Sequence, residues 1–175
     1  MIYFVRHGET DFNLFSVTQG QLDTSLNKTG LKQAEKVAKD LKDYHFDIII
    51  SSPLTRTVQT AEFIMKYHPN NQLILDKRIM EVSKGILEGT KNTKDIYDDF
   101  FKDPHKYDGE SEEDVFKRVS SFLKDLEQYK GKDVLVISHG GVLKYLKFCL
   151  AGKNINKDKL EILDIENCKI EEFEF

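Results

Sequence analysis

Val5-Arg6-His7-Gly8-Glu9-Thr10 is the stretch on which the reading of this chain turns. It follows a short apolar run, Met1 to Val5, with the character of a buried strand. A guanidinium, an imidazole and a glycine therefore stand where a strand stops and a loop starts. In open α/β sheets, ligands bind outside the carboxyl ends of the strands. A neutral imidazole is a competent nucleophile, and a neighbouring Arg has the planar fork that suits a phosphate. Gly8 lets the backbone turn beside a ligand without a Cβ in the way.

Outward from this stretch, the chain alternates strands and helices. A long polar segment, Gly8 to Asn27, carries Asn13, Gln19-Gly20 and Asp23 and shows little periodicity, the character of a functional or a disordered loop. Leu31, Ala34, Val37, Ala38 and Leu41 recur at helical spacing behind Asn27 as N-cap. Phe46 to Ile50 is a β-branched run that ends in Ser51-Ser52-Pro53, with Pro53 in the first turn of the next helix, the one that holds Arg56. Gln72 to Leu75 reads as a short strand, after which Arg78-Ile79-Met80-Glu81 returns to the sheet edge. Residues 82–110 are irregular, with one helical piece around Asp95 to Lys102, and form a lid-like excursion over the site. Ser111 caps an amphipathic helix whose buried stripe is Val115, Val119, Phe122, Leu123 and Leu126. Asp133 to Ser138 is a central-type strand ending at His139-Gly140-Gly141, followed by a helix from Val142 to Leu150. Leu160 to Ile165 and Lys169 to Phe175 read as two antiparallel strands joined around Asn167. The order predicts an α/β fold: a three-layer αβα sandwich over residues 1–175, mostly parallel in its central sheet with an antiparallel edge.

Composition sets the outer bounds. The chain has 175 residues and a net charge of −4, enough length for one domain with a substantial core. No block of like charge suggests nucleic acid or an anionic membrane, and no apolar run is long enough to span one. Cys149 and Cys168 sit in no ligand-like spacing and read as reduced core thiols. With no leader-like segment at the N-terminus, a cytoplasmic location is expected. His45, His68 and His105 lack a strand-end context and are expected at the surface.

Four features lie where a strand stops or a helix starts: Arg6-His7, the turn from Ser51 to Arg56, Glu81, and His139-Gly140. Strand ends of a parallel sheet share one rim, so groups far apart in sequence can converge there. Arg6 and Arg56 would neutralise a dianion, and Gly140 would open a helix whose N–H groups and dipole favour one. His139 would donate to a phosphoryl oxygen, His7 would attack phosphorus and Glu81 would protonate the departing oxygen. The bland readings place Arg56 on a solvated helix face, Glu81 at the surface and His139 in a structural role. A metal site built from His7, His139 and Glu81 ranks behind the phosphate reading, because two arginines on the same rim repel a divalent cation. Ser138-His139 lacks a Gly-x-Ser-x-Gly elbow and is rejected as a hydrolase pair.

These residues resemble the histidine phosphatase superfamily, the phosphoglycerate mutase-like proteins. The signature is Arg6 to Thr10. The match continues through Asn13, Gln19-Gly20, Asp23, Leu26, Gly30 and Gln33-Ala34, then Ser51 to Thr57 with Gln59-Thr60-Ala61. It closes with Glu81, Gly85, Glu88-Gly89, Gly109-Glu110-Ser111, Arg118-Val119 and Val136 to Gly141, in family order over nearly the whole chain. The resemblance implies a phosphohistidine intermediate on His7, a phosphoryl group held by Arg6, Arg56 and His139, and Glu81 as proton donor. Asn13, Gln19, Gly20, Gly140 and Lys84 complete the expected phosphate- and substrate-binding set, and neither metal nor cofactor is expected.

Where the sequence departs from the family, it bears on substrate. Phe12 replaces a frequent Trp, and Thr57 a common Ala. Lys84 stands where mutases tend to carry a substrate-contacting Tyr. The segment from Gly89 to Gly109 holds no Arg, whereas the family's mutases grip a second anion with a longer, Arg-bearing insertion. A metal-independent phosphomonoesterase acting on a small phosphorylated metabolite is therefore the leading expectation. Its monophosphate would carry an apolar or sugar-like leaving group. A phosphoglycerate mutase and a non-catalytic binder of phosphorylated ligands are the rivals. The edge near Phe173 and Phe175 is a candidate surface for a homo-oligomer.

Overall fold

The computed structural model describes residues 1–150 and 165–174. Five strands, β1 (Ile2–Arg6), β2 (Ile48–Ser51), β3 (Leu73–Leu75), β4 (Val134–Ser138) and β5 (Ile170–Phe173), form one sheet in the order β3-β2-β4-β1-β5. The pairings β1 with β4, β2 with β4 and β2 with β3 are parallel, and β5 joins β1 antiparallel at the edge. Six α-helices are described: α1 (Asp11–Leu14), α2 (Lys28–Asp40), α3 (Thr55–Met65), α4 (Lys94–Lys102), α5 (Glu112–Leu126) and α6 (Gly140–Leu150).

Strand alternation explains the three layers. In β1 and β4 every second residue points to the same face. Ile2, Phe4, Val134 and Val136 meet Val115, Val119 and Phe122 of α5 and Val142, Leu143 and Leu146 of α6. Val5, Leu135 and Ile137 meet Val37 and Ala38 of α2 and Ala61 and Ile64 of α3 on the opposite face. Both faces are covered, which is why the central strands read as continuous apolar runs. The expected αβα sandwich with an antiparallel edge is the observed fold. No helix among the described residues is long and apolar enough to cross a membrane.

Several local expectations change. Leu31 is exposed, and Gly30 takes its place in the buried stripe of α2 with Ala34, Val37 and Ala38. Pro53 precedes the N-cap of α3, Leu54, instead of lying in its first turn. His68 is buried, its Nε2 3.2 Å from the Leu41 carbonyl oxygen and its ring against Phe46. Phe173 is only partly exposed and packs on Phe4, so it offers no bare aromatic edge. The strand expected over Leu160 to Ile165 lies almost wholly outside the described residues, as does Phe175; Ile165 itself is buried in the core.

The polar segment after β1 is more ordered than its composition suggests. Thr10 and Asn13 form a reciprocal capping box around the single turn of α1. Ser16 and Thr18 then pair with the excursion: the Thr18 amide donates to the Thr90 carbonyl at 2.8 Å, the Gly89 amide to the Thr18 carbonyl at 2.8 Å and the Asn92 amide to the Ser16 carbonyl at 2.9 Å. The loop is also fastened to α2. The Asn27 amide donates to the Glu9 carbonyl at 3.0 Å, and the Glu9 amide to Gln33 Oε1 at 2.8 Å.

This fastening needs two glycines. A Cβ on Gly8 would lie 2.5 Å from the Gly30 carbonyl oxygen, and one on Gly30 would lie 2.0 Å from the Glu9 carbonyl oxygen. Backbone touches backbone there, immediately beside His7. Gly30→Ala is expected to lower stability by about 1–3 kcal/mol through overpacking, despite the better helix propensity of Ala. Lys32→Ala, on the exposed face of the same helix, should stay within about 0.5 kcal/mol of the parent. Urea unfolding of the two variants checks the contrast.

Candidate active site

Parallel pairing in register brings the two histidines together. Arg6 lies opposite Ser138 across the β1–β4 ladder, and the His7 amide donates to the Ser138 carbonyl at 3.0 Å. On the other side of β4, the Ser52 amide donates to the Ile137 carbonyl at 3.0 Å. Three strands therefore end level, and the His7 and His139 rings stand 5.2 Å apart.

Both imidazoles are buried and held neutral. Burial lowers the His7 pKa well below its usual 6.5, and the Arg56 and Arg6 guanidinium groups push it further in the same direction. His139 is lowered well below 6.5 by burial first, then by Arg56 and His7. His7 Nδ1 lies 2.7 Å from the Gly8 carbonyl oxygen. A carbonyl only accepts, so Nδ1 carries the proton and Nε2 keeps its lone pair. His139 Nε2 lies 2.8 Å from Ser52 Oγ, while its buried Nδ1 has no hydrogen-bond partner among the described residues.

Arg56 is fully buried, not solvated. Its Nη1 donates to the Leu22 carbonyl and its Nη2 to the Gly20 carbonyl, each at 2.8 Å, and its Nε is buried without a partner among the described residues. Burial lowers its pKa to about 10, still cationic at neutral pH. Two of its five N–H donors thus anchor the loop, so Arg56 does not present an open bidentate fork. Asp23 accepts the Thr55 amide at 2.7 Å and the Thr55 hydroxyl at 2.8 Å, capping α3 where its own N-cap, Leu54, has no side-chain acceptor.

Glu81 is placed differently from expectation. Its carboxylate accepts the Val82 amide at 2.9 Å, the Gly141 amide at 3.1 Å and the Val142 amide at 3.2 Å. The first turn of α6, expected to receive a phosphate, holds this carboxylate instead, as helix N-termini favour any anion. Glu81 is in turn fixed through its backbone. Arg118 Nη1 donates to the Arg78 and Met80 carbonyls at 2.6 and 2.7 Å, and its Nη2 to the Glu81 carbonyl at 3.2 Å. Gln21 Nε2 donates to the same Glu81 carbonyl at 2.9 Å. Glu110 grips Arg118 through both oxygens at 2.7 and 2.9 Å and also accepts the Ser83 amide.

A cavity of about 590 Å³ opens above this floor. Arg6, His7, Asn13, Gln19, Gly20, Glu81, Lys84 and Gly140 all line it, whereas Arg56 and His139 lie beneath its surface. Asn13 Oδ1 is engaged by the Thr10 amide at 3.0 Å, and its amide N–H groups have no partner among the described residues. The Gln19 Oε1 atom already accepts the Thr10 hydroxyl at 2.9 Å. Ile96, Tyr97, Phe100 and Phe101 of α4 form the far wall. His7, His139 and Glu81, weighed earlier as a metal set, belong to no group of three or more potential ligands among the described residues.

Sequence reasoning gave no role to Ser52, Gln21 or Asn167, whose Nδ2 donates to the His7 carbonyl at 2.7 Å. Strand alignment could have found Ser52, the first residue past β2, as His139 is the first past β4. Gln21 and Asn167 carry no such signal. Arg118, Glu110, Gln59 and Thr60 were quoted as motif residues without a role. Gln59 accepts the Leu26 amide at 2.8 Å and Thr60 the Gly8 amide at 3.1 Å, which fixes the loop over the site.

Comparison with known proteins identifies the family. Residues 2–175 match the histidine phosphatase superfamily (branch 1). Phosphoserine phosphatase 1 of Hydrogenobacter thermophilus is 33% identical over 166 residues, covering 89% of this chain and 78% of that protein. Phosphoglycerate mutase-like protein 4 of Arabidopsis thaliana is 31% identical over 157 residues, covering 83% of this chain and 68% of the relative. Among solved structures, a mycobacterial glucosyl-3-phosphoglycerate phosphatase in complex with VO3 superposes with a TM-score of 0.82 at 26% identity, covering 97% of this chain and 88% of that one. The chain therefore belongs to the histidine phosphatase superfamily, branch 1, and its relatives indicate a phosphatase or mutase.

Proposed function

We propose that this protein is a phosphomonoesterase that transfers the phosphoryl group of a small ester to His7 Nε2 and then to water. The observation that carries the reading is the state of His7: neutral, protonated on Nδ1 by virtue of the Gly8 carbonyl, and flanked by Arg6 and Arg56. Its bare Nε2 lone pair attacks phosphorus while the bond to the leaving oxygen breaks, and Glu81 gives that oxygen a proton. The Glu81 carboxylate then takes a proton from water as the water oxygen attacks the phosphohistidine, releasing inorganic phosphate. With the Ser52 hydroxyl donating to His139 Nε2, the His139 proton sits on Nδ1, where it serves a phosphoryl oxygen. Arg6, the Asn13 amide and the remaining Arg56 donors share the other oxygens. Gln19 and Gly20 shape the wall that holds the ester, and residues 82–110 act as its lid.

Hydrolysis is favoured over mutase chemistry by the lid. A mutase must retain a doubly anionic intermediate, and residues 82–110 supply Lys84, Lys91, Lys94, Lys102 and Lys106 but no Arg. The reaction needs neither metal nor cofactor. The two cysteines are free thiols, which suits the reducing cytoplasm proposed as its location.

Phosphate release from p-nitrophenyl phosphate and 3-phosphoglycerate, with EDTA present, is the direct test. His7→Ala should remove turnover, and unchanged turnover in that variant would sink the mechanism. Interconversion of 2- and 3-phosphoglycerate without phosphate release would select the mutase instead.

The acid limb of kcat/KM is expected well below pH 6.5. Protonating Nε2 destroys the nucleophile, so the rate falls as pH drops through the His7 pKa, and that pKa is lowered from 6.5. A pH profile on p-nitrophenyl phosphate that halves near pH 6.5 would contradict the buried neutral imidazole.

Glu81→Gln should cost about 10²–10⁴-fold on poor alkoxide leaving groups and much less on p-nitrophenolate, which needs little protonation. Arg118→Ala should reproduce this leaving-group pattern in weaker form, because it frees the Glu81 backbone without touching the phosphoryl pocket. Equal losses on both substrates would reduce Arg118 to a general structural role.

A further inference from the structure

Lys84 lines the cavity, and neither the phosphoryl transfer nor the packing explains its charge. Its Nζ stands 3.9 Å from the centroid of the Phe100 ring, 4.3 Å from that of Phe101 and 5.8 Å from that of Tyr97. The rings that form the far wall thus clasp an ammonium group. Among the described residues, no carboxylate comes within ion-pair distance of it and no acceptor hydrogen-bonds to it. The nearby acids are engaged elsewhere. Glu88 Oε1 takes the Gln21 and Lys84 backbone amides, each at 2.9 Å, Glu110 takes Arg118, and Glu81 takes the first turn of α6. The three N–H donors of Lys84 are therefore left to whatever enters the cavity that the residue lines.

Holding an ammonium this way is expensive. Burial lowers the Lys84 pKa to about 8, against the raising influence of Glu81, Glu110 and Glu88. It nevertheless stays mostly protonated at neutral pH. A lid latch alone would not require a charge, since Met or Leu would fill the same aromatic clasp. An ammonium that lines the cavity against an aromatic wall, with no carboxylate in ion-pair contact among the described residues, suits a ligand group of opposite sign.

We propose that Lys84 determines specificity by binding a second anionic group on the alcohol half of the substrate. The inference rests on the phosphomonoesterase reading above and deepens it. The preferred esters carry a carboxylate or a second phosphate several bonds from the scissile phosphorus, and the apolar or sugar-like neutral leaving group expected from the lid composition is the poorer fit. A lysine contacts such a group as a point charge, without the bidentate fork of an arginine. It helps to hold the ester without the firm grip on a bisphosphorylated intermediate that a mutase needs.

Matched ligands separate charge from shape. 3-Phosphoglycerate and glycerol 3-phosphate differ at the carboxylate; so do O-phosphoserine and O-phosphoethanolamine. Fructose 1,6-bisphosphate and fructose 6-phosphate supply the phosphate arm. Equilibrium binding is measured by calorimetry on His7→Ala protein, in which the ligands persist, with and without Lys84→Met. The expected result is tighter binding of the anionic member of at least one pair. Lys84→Met should weaken that member about 10- to 100-fold and change its neutral partner by less than about 3-fold. Whichever pair responds identifies the anion as carboxylate or phosphate. Equal weakening of both members would make Lys84 a lid latch, and undiminished discrimination in Lys84→Met would remove it from recognition; either result overturns the proposal. Failure of the phosphatase reading shows separately, as turnover in the parent protein that survives His7→Ala.

Discussion

The parallel ladder between β1 and β4 is the constraint on which the site depends. Because Arg6 sits opposite Ser138, the chain leaves both strands at the same height, and the His7 amide closes the last rung on the Ser138 carbonyl. A slip of one residue would turn Ile2, Phe4, Val134 and Val136 away from α5 and α6 and expose the two cores to each other's partners. The hydrophobic faces therefore set the register, and the register sets the distance between the imidazoles. The geometry of the site follows from burial of side chains that take no part in its chemistry.

Burial also decides the protonation states. Two imidazoles and a guanidinium share one dry floor, and the arrangement is tolerable because the imidazoles give up their charge while Arg56 keeps its own. Arg56 manages this through the Gly20 and Leu22 carbonyls, which solvate it internally. The same bonds hold the Gly20 loop against α3. A single buried cation is thus both part of the electrostatics of the floor and the fastener of the wall above it.

What could be read from the sequence were features carried by contiguous residues. An apolar run that ends in Arg6-His7 or Ser138-His139 announces a strand and a polar rim in one glance, and the layer order follows from the alternation of such runs with amphipathic helices. α1 was invisible because it is a single turn with no buried residue, held by the Thr10–Asn13 capping box. Leu31 misled because its spacing fits the stripe, while the close approach of Gly30 to Glu9 rotates the face that is covered. His68 looked like a surface residue because its partners, Leu41 and Phe46, come from other segments. Gln21 and Asn167 were equally hidden, since each acts on a residue that only the tertiary fold brings near. Glu81 was found, but its seat on α6 was not, for a helix N-terminus does not reveal in sequence which anion will reach it.

That seat means the resting protein carries its own occupant at the position where the fold most readily accepts negative charge. The Gly141 and Val142 amides are already answered by Glu81. Any anion that enters the cavity therefore has side-chain donors to draw on and not this helix terminus. The first turn of α6 is in effect neutralised from within the chain by a tethered carboxylate. Such a floor offers negative charge its guanidinium and imidazole groups and keeps the helix terminus for the chain's own carboxylate.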